Sequence, residues 1–285
     1  VIGLVDEVVE ELRQVAVRHR DAGVWHGYRI GIHRRSTLSS AEERYAREEL
    51  QGEAVAAGLE KVWGWTGPAG RIRAARRADF LVRAARIGPG VRCLELGAGT
   101  GEFTTRLAAT GCELTALELS EATARICRER TDGRAEIVVG NAETGAGLEG
   151  REFDAIVGVS VLHHLDIGLA LRNTFALLRP GGRFAFSEPN MANPQVWAER
   201  HIGWVARRRH VTEHETAFRA DQLARLLEGA GLEVELAEPF EFLHPAVPAR
   251  LIRPVLTVER WLERTPMRAI AGSVRVSGRR PEAQS

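Results

Sequence analysis

Leu94-Glu95-Leu96-Gly97-Ala98-Gly99-Thr100-Gly101 is a short apolar run that breaks into three closely spaced glycines, the pattern by which a strand passes into a helix around a nucleotide-like ligand. Three glycines in five residues let the backbone turn sharply and approach a ligand that a Cβ would push away. The third glycine stands one place earlier than in the dinucleotide fingerprint, and no lysine follows as a phosphate-binding loop requires. Pyrophosphate is therefore a poor fit. Glu95 sits within the strand before the turn, and Glu118 closes the next apolar run, where a ribose-binding carboxylate is expected. A nucleoside with a positively charged neighbour suits two carboxylates better.

From residue 88 onward, apolar runs alternate with helical stretches. Strands are expected at 92–96, 113–117, 135–139, 153–159, 182–187, 232–238 and 272–277, with helices after the glycine turn up to 110, at 120–130 and at 221–229. Such alternation implies an α/β fold with a doubly wound, mostly parallel seven-stranded sheet. Ligands in such sheets bind beyond the carboxyl ends of the strands, where Gly97, Glu118, Asn141, Ser160 and Glu188 are expected to gather. Residues 1–87 read as an N-terminal helical arm, with amphipathic stretches over 1–20 and 41–59, the second with a capping box from Ser40 and Glu43. A loop at 21–40 separates them, and a helix opened by Pro68 runs to 86. The expected organisation is then 88–188 as the cofactor-binding half of the sheet, 189–220 as a cap insertion, and 221–285 as the C-terminal half. A second insertion falls at 239–270, with an apolar helix at 250–262.

At 285 residues and 44% hydrophobic, the chain is long enough to bury a large core. A net charge of +1 gives no global reason to bind nucleic acid. The local clusters Arg71, Arg73, Arg76, Arg77 and Arg207, Arg208, Arg209 read as solvated helix faces. Cys93, Cys112 and Cys127 are too few and scattered for a disulfide framework or a metal site, which suits a reducing cytoplasm. Acidic residues near the N-terminus and the lack of a long apolar run argue against export and stable membrane insertion. His201, His210 and His214 lack a recognised ligand spacing, so no metal is expected.

Several segments, in order, resemble the class I S-adenosylmethionine-dependent methyltransferases of the small-molecule type. Glu95 to Gly101 looks like the first motif, and Ala116-Leu117-Glu118-Leu119-Ser120 like the acidic end of the second strand. Gly140-Asn141-Ala142-Glu143 resembles the adenine segment, Phe153-Asp154 through Val161-Leu162-His163-His164 the fourth-strand motif, and Leu178-Arg179-Pro180-Gly181-Gly182 the turn before the fifth strand. Asn141 departs from the aspartate of many relatives, although an amide still offers adenine a donor and an acceptor. The resemblance implies a Rossmann-like methyltransferase fold with S-adenosyl-L-methionine as cofactor and S-adenosyl-L-homocysteine as product. It implies that Gly97, Ala98 and Gly99 pass beneath the methionyl part and that Glu95 helps hold its ammonium. Glu118 takes the ribose hydroxyls, Leu119 and Ala142 flank adenine, Asn141 or Glu143 reaches its exocyclic nitrogen, and Val159 and Ser160 complete the cofactor set.

Methyl transfer from a sulfonium is an in-line displacement, so much of the catalysis comes from alignment and exclusion of water. Where the acceptor is a hydroxyl, His164, His163 or Glu188 is the candidate base, each expected near the methyl group. Trp63, Trp65, Trp197, Trp204, Phe240 and Phe242 either wall an acceptor pocket or bind the helical cap to the sheet; the sequence leaves both open. No Asn-Pro-Pro-Tyr tetrad follows the fourth strand, where Gly158-Val159-Ser160-Val161 stands, which argues against DNA bases. The expectation is methylation of an oxygen or nitrogen of a small organic acceptor, in the setting of secondary metabolism. A quinone or lipid methyltransferase is the alternative, as is a non-methylating binding module or cyclase on the same fold. The oligomeric state, a homodimer included, is open.

Overall fold

The computed structural model describes residues 40–56, 64–201 and 217–282. The chain divides into two compact units, 1–51 and 52–285. Expectations for 1–39, Trp63, Trp204, Arg207 to Arg209, His210 and His214 lie outside the described residues, as do the side chains of the Ser40 capping box. In chain order the elements are α1 (Ser40–Ala56), α2 (Pro68–Ala84), β1 (Arg92–Leu96), α3 (Thr104–Ala108), β2 (Glu113–Glu118), α4 (Glu121–Thr131), β3 (Glu136–Val139) and β4 (Phe153–Val159). There follow α5 (Ile167–Leu177), β5 (Leu178–Pro189), α6 (Pro194–His201), α7 (Ala220–Gly229), β6 (Glu233–Phe240), α8 (Ala249–Leu262) and β7 (Ser273–Arg279).

The strands form one seven-stranded sheet in the order β3-β2-β1-β4-β5-β7-β6. Pairs from β3 to β5 are parallel, and β7 runs antiparallel to both neighbours. The order reverses beside β1, between β2 and β4, which is where a parallel sheet opens a crevice at its carboxyl edge. β5 is longer than the sequence suggested. Its opening turn is held to the chain beyond β7, with Gly181 N donating to Arg280 O and Arg280 N to Gly182 O.

Two apolar layers clamp the sheet, and side-chain alternation sorts residues between them. Leu94, Ile156, Phe184 and Phe186 face one layer with α5 and α7, whose Leu171, Leu223 and Leu227 are fully or almost fully buried. Cys93, Ala155, Val157 and Ala185 face the other, against Phe80 and Leu81 of α2 and Leu107 of α3. Large residues fill the first face and small ones let α2 approach the second. Burying Phe184 and Phe186 contributes about 1.5–3 kcal/mol each. Local chemistry starts the helices where expected: Pro68 opens α2, and Asp166 caps α5 by accepting from Leu169 N at 3.0 Å.

The solvated-face expectation for Arg73, Arg76 and Arg77 is corrected. Arg77 is 2% exposed, and with Arg73 it grips Glu241, while Arg76 pairs with Glu259 and Glu263. The helical spacing of these arginines places them against carboxylates from a distant segment, and there they fasten α2 to the β6–α8 connection. Helix α2, assigned to the N-terminal arm on sequence, packs against β5 and β4 within the second unit.

Candidate active site

The glycine turn is built on β1. Gly97 N and Ala98 N both donate to Leu117 O of β2, at 2.9 and 3.1 Å, so the turn is fixed to the neighbouring strand. Gly97 has φ +68°, and a Cβ there would lie 2.6 Å from Val161 Cγ2. Gly99 has φ +54°. Its N–H donates to Glu118 Oε2 at 2.7 Å, and Ser120 N donates to Glu118 Oε1 at 3.0 Å. One carboxylate thus ties the turn to the start of α4. Each oxygen of an ionised carboxylate keeps a second lone pair, so Glu118 retains capacity for a diol.

Glu95 points from β1 into the protein and is 3% exposed. The Thr104 hydroxyl hydrogen-bonds to it, yet burial, with the nearby Glu118 charge, pushes its carboxyl up to about 8. Its Oε2 has no hydrogen-bond partner. A buried acceptor in this state suits a cationic group. Thr104, eight residues beyond Leu96, carries no motif in the sequence that marks it as a partner of Glu95.

The adenine segment is tied down from within. Asn141 Oδ1 accepts from Glu143 N at 2.7 Å, and Glu143 Oε1 accepts from Asp166 N at 2.8 Å. Asn173 Nδ2 donates to the carbonyls of Ala142 and Glu143. Glu143 is 3% exposed, while Asn141, Ala142 and Leu119 are half-buried. Of the two candidates for adenine's amine, Asn141 is the more accessible.

At the end of β4, Val159 and Ser160 are half-buried, and Ser160 adopts φ +53°, a left-handed conformation that costs a non-glycine residue about 1 kcal/mol or more. It is held there by its N–H donating to Ser187 O at 2.7 Å. Glu188 then pins the following turn: Oε1 accepts from Val161 N and Leu162 N at 3.0 and 2.9 Å, and Oε2 meets His163 Nδ1 at 2.8 Å. Glu188 is fully buried and His163 nearly so, whereas His164 is half-buried with its ring 4.1 Å from that of His163. All three catalytic candidates meet in one cluster, but with different access to solvent.

Beside the glycine turn, Trp65 meets Phe103 edge-to-face at 5.3 Å, and Val159 packs on the same cluster. Arg73 and Arg77 lie 5.1 Å from the Trp65 ring. Trp197 is exposed and stacks on His201 at 4.8 Å, and Phe240 is buried beneath Arg77 and Arg275. Among the named aromatics with described side chains, Trp65 is the one that packs on Phe103, two residues after the glycine turn. A cavity of about 390 Å³ opens at the opposite edge of the sheet, beside Arg92, Glu113, Glu136 and Phe153. None of the turn glycines lines it. Among the described residues, no group of three histidine, cysteine or acidic side chains is arranged to hold a metal.

Comparison with known proteins bears on this crevice. Residues 69–237 match a family described as a methyltransferase domain. A ubiquinone biosynthesis O-methyltransferase of Xanthomonas axonopodis pv. citri (strain 306) is 26% identical over 209 residues, covering 70% of this chain and 86% of its own. The N-methyltransferase NodS of Bradyrhizobium japonicum WM9, solved with S-adenosyl-L-homocysteine, superposes with a TM-score of 0.56 at 17% identity, covering 82% of this chain and 99% of its own. The 4+2 cyclase SpnF superposes with a TM-score of 0.52 at 20% identity, covering 73% of this chain and 82% of its own. At these identities the two structures speak for the fold alone.

Proposed function

The chain belongs to the methyltransferase-domain family as an S-adenosylmethionine-dependent enzyme, and from that premise we propose that it methylates an oxygen or nitrogen of a small organic acceptor. The observation that carries the proposal is the Glu188-pinned turn, which sets two imidazoles after β4, at the carboxyl edge that also carries the glycine turn.

The residues fit the cofactor's parts. Glu118 offers its remaining lone pairs to the ribose hydroxyls, and the orphaned Glu95 oxygen offers charge to the ammonium end. Gly97, Ala98 and Gly99 provide backbone without bulk. Leu119 and Ala142 flank the adenine ring, Asn141 answers its amine, and Val159 and Ser160 shape the floor. When bound, the cofactor supplies an electrophilic methyl group. The chain's own task is to align the acceptor with it, exclude water and receive a proton.

For a hydroxyl acceptor we assign the proton to His164, the more accessible imidazole. His163 and Glu188 act as positioning residues, because a buried carboxylate on Nδ1 fixes both ring and turn. Trp65 and Phe103 supply the apolar wall. Replacing His164 by alanine is expected to lower turnover about a hundredfold at unchanged cofactor affinity. Equal turnover with the same acceptor would place proton removal elsewhere.

A narrower reading follows from the relatives named for ubiquinone biosynthesis: the acceptor is a phenolic hydroxyl of a quinone precursor. Labelled cofactor offered with hydroxylated phenols, amines and carboxylates separates this from a wider small-molecule role. Label on phenols alone supports it, and label only on amines rejects it.

A further inference from the structure

Helix α8 leaves the same carboxyl edge of the sheet, between the end of β6 and the start of β7. Its inward side is settled: Ile252 is buried with Leu243 and Ala69, and Glu259 accepts from Phe242 N and Leu243 N while pairing with Arg76. Its outward side is unusual for a protein surface. Leu251 (45% exposed), Pro254, Val258 (54%) and Trp261 (64%) recur at the spacing of one helical stripe, and Met267 (49%) is exposed shortly after the helix.

Beside that stripe runs another of exposed arginines, Arg250, Arg253, Arg260 and Arg264. Of the two carboxylates at the end of α8, Glu259 is buried against Arg76 on α2, while Glu263 pairs with Arg76 and also lines the groove at the helix's end. At the helix's carboxyl end, a groove of about 250 Å³ is lined by Arg260, Arg264, Arg268 and Arg275 against Glu238 and Glu263. Glu238 is shared by Arg268 and Arg275. Among the described residues, no carboxylate lies within ion-pair distance of Arg260 or Arg264. Apolar side chains that include a tryptophan, edged by unmatched arginines, have the composition of a surface that settles at the headgroup boundary of an anionic bilayer. No helix among the described residues is long and apolar enough to cross a membrane, so the contact is one of lying on the surface.

We propose that the outward face of α8, with the arginine groove at its end, docks the protein on an anionic lipid surface. Leu251, Val258 and Trp261 enter the headgroup–acyl boundary while Arg260 and Arg264 meet lipid phosphates. The proposal is independent of the acceptor. It concerns where the enzyme works, and it makes bilayer-dissolved acceptors reachable.

The test is flotation of the full chain with phosphatidylcholine vesicles, with and without phosphatidylglycerol, across a salt series. Calorimetric affinity for S-adenosylhomocysteine serves as a separate check on the cofactor crevice. Binding is expected only to the anionic vesicles and should weaken with salt. Each arginine replaced, in Arg260→Gln and Arg264→Gln, should weaken it about fivefold. The double variant Val258→Glu, Trp261→Glu should abolish flotation while leaving the circular dichroism spectrum and cofactor affinity unchanged. Failure to float with anionic vesicles, equal flotation with neutral ones, or retention by the double variant would overturn the proposal. So would a dimer that Trp261→Glu converts to monomer, because a second copy would then own this face. Loss of cofactor affinity in the unmodified chain would instead count against the crevice.

Discussion

Glu95 shows how burial sets the chemistry of a single residue. Its carboxyl is pushed up to about 8 from an ordinary 4.5 by desolvation and by the neighbouring Glu118 charge, against the opposing hydrogen bond from Thr104. If the ionised form holds the cofactor's ammonium, binding below that value must release a proton. Affinity for S-adenosylhomocysteine should then climb with pH, approaching tenfold per unit between about 6 and 7.5, and level off above 8. In Glu95→Gln this dependence should vanish, and calorimetry across pH reads both. For the ligand-free fold the sign is reversed: the folded state binds the extra proton between 4.5 and about 8, so this group's contribution to stability falls as pH rises through that window. Glu188 teaches a different lesson. Phe184, Phe186 and Glu188 share one face of β5 by alternation, and the two phenylalanines lie in the core. That alternation puts Glu188 on the face of the two phenylalanines, and because both faces of β5 are covered it is buried there, where it organises the histidine turn.

At the scale of elements, α2 is fastened to the β6–α8 connection by buried charge. Arg73 and Arg77 share Glu241, which sits at φ +71° and is 2% exposed; Arg77 also reaches Ser273 Oγ at 2.5 Å. Burial pushes the Glu241 carboxyl up, yet the Arg77 and Arg73 guanidiniums hold it below the usual range. Glu241→Gln strands two largely buried guanidiniums and is expected to cost about 3–5 kcal/mol of unfolding free energy. Urea denaturation measures it, and a loss under 1 kcal/mol would show the network to be incidental. The sequence could not announce this device, since helical spacing gathers Arg73, Arg76 and Arg77 on a side of α2 without naming what lies opposite. Strands fared better. The runs at 92–96 and 153–159 are found with the expected ends, because alternation and flanking turns encode them locally. The opening of β5 escaped because its pairing depends on Arg280, far along the chain.

Over the whole molecule, sheet order decides function. The reversal beside β1 gathers the glycine turn, the end of β2, the Asn141 segment and the histidine turn along one edge of the sheet, though they are dispersed in sequence. Motif order made that edge legible, while the direction of β7 and the outward face of α8 are properties of the folded chain. The central claim is that this crevice grips an adenosyl cofactor by its sugar, through Glu118. A crystal structure of the chain with S-adenosylhomocysteine tests it most directly. The ribose hydroxyls should lie within hydrogen-bonding distance of both Glu118 oxygens, with the sulfur beside Gly97 and Gly99. Adenosyl density elsewhere, or a ribose out of reach of Glu118, would contradict the account.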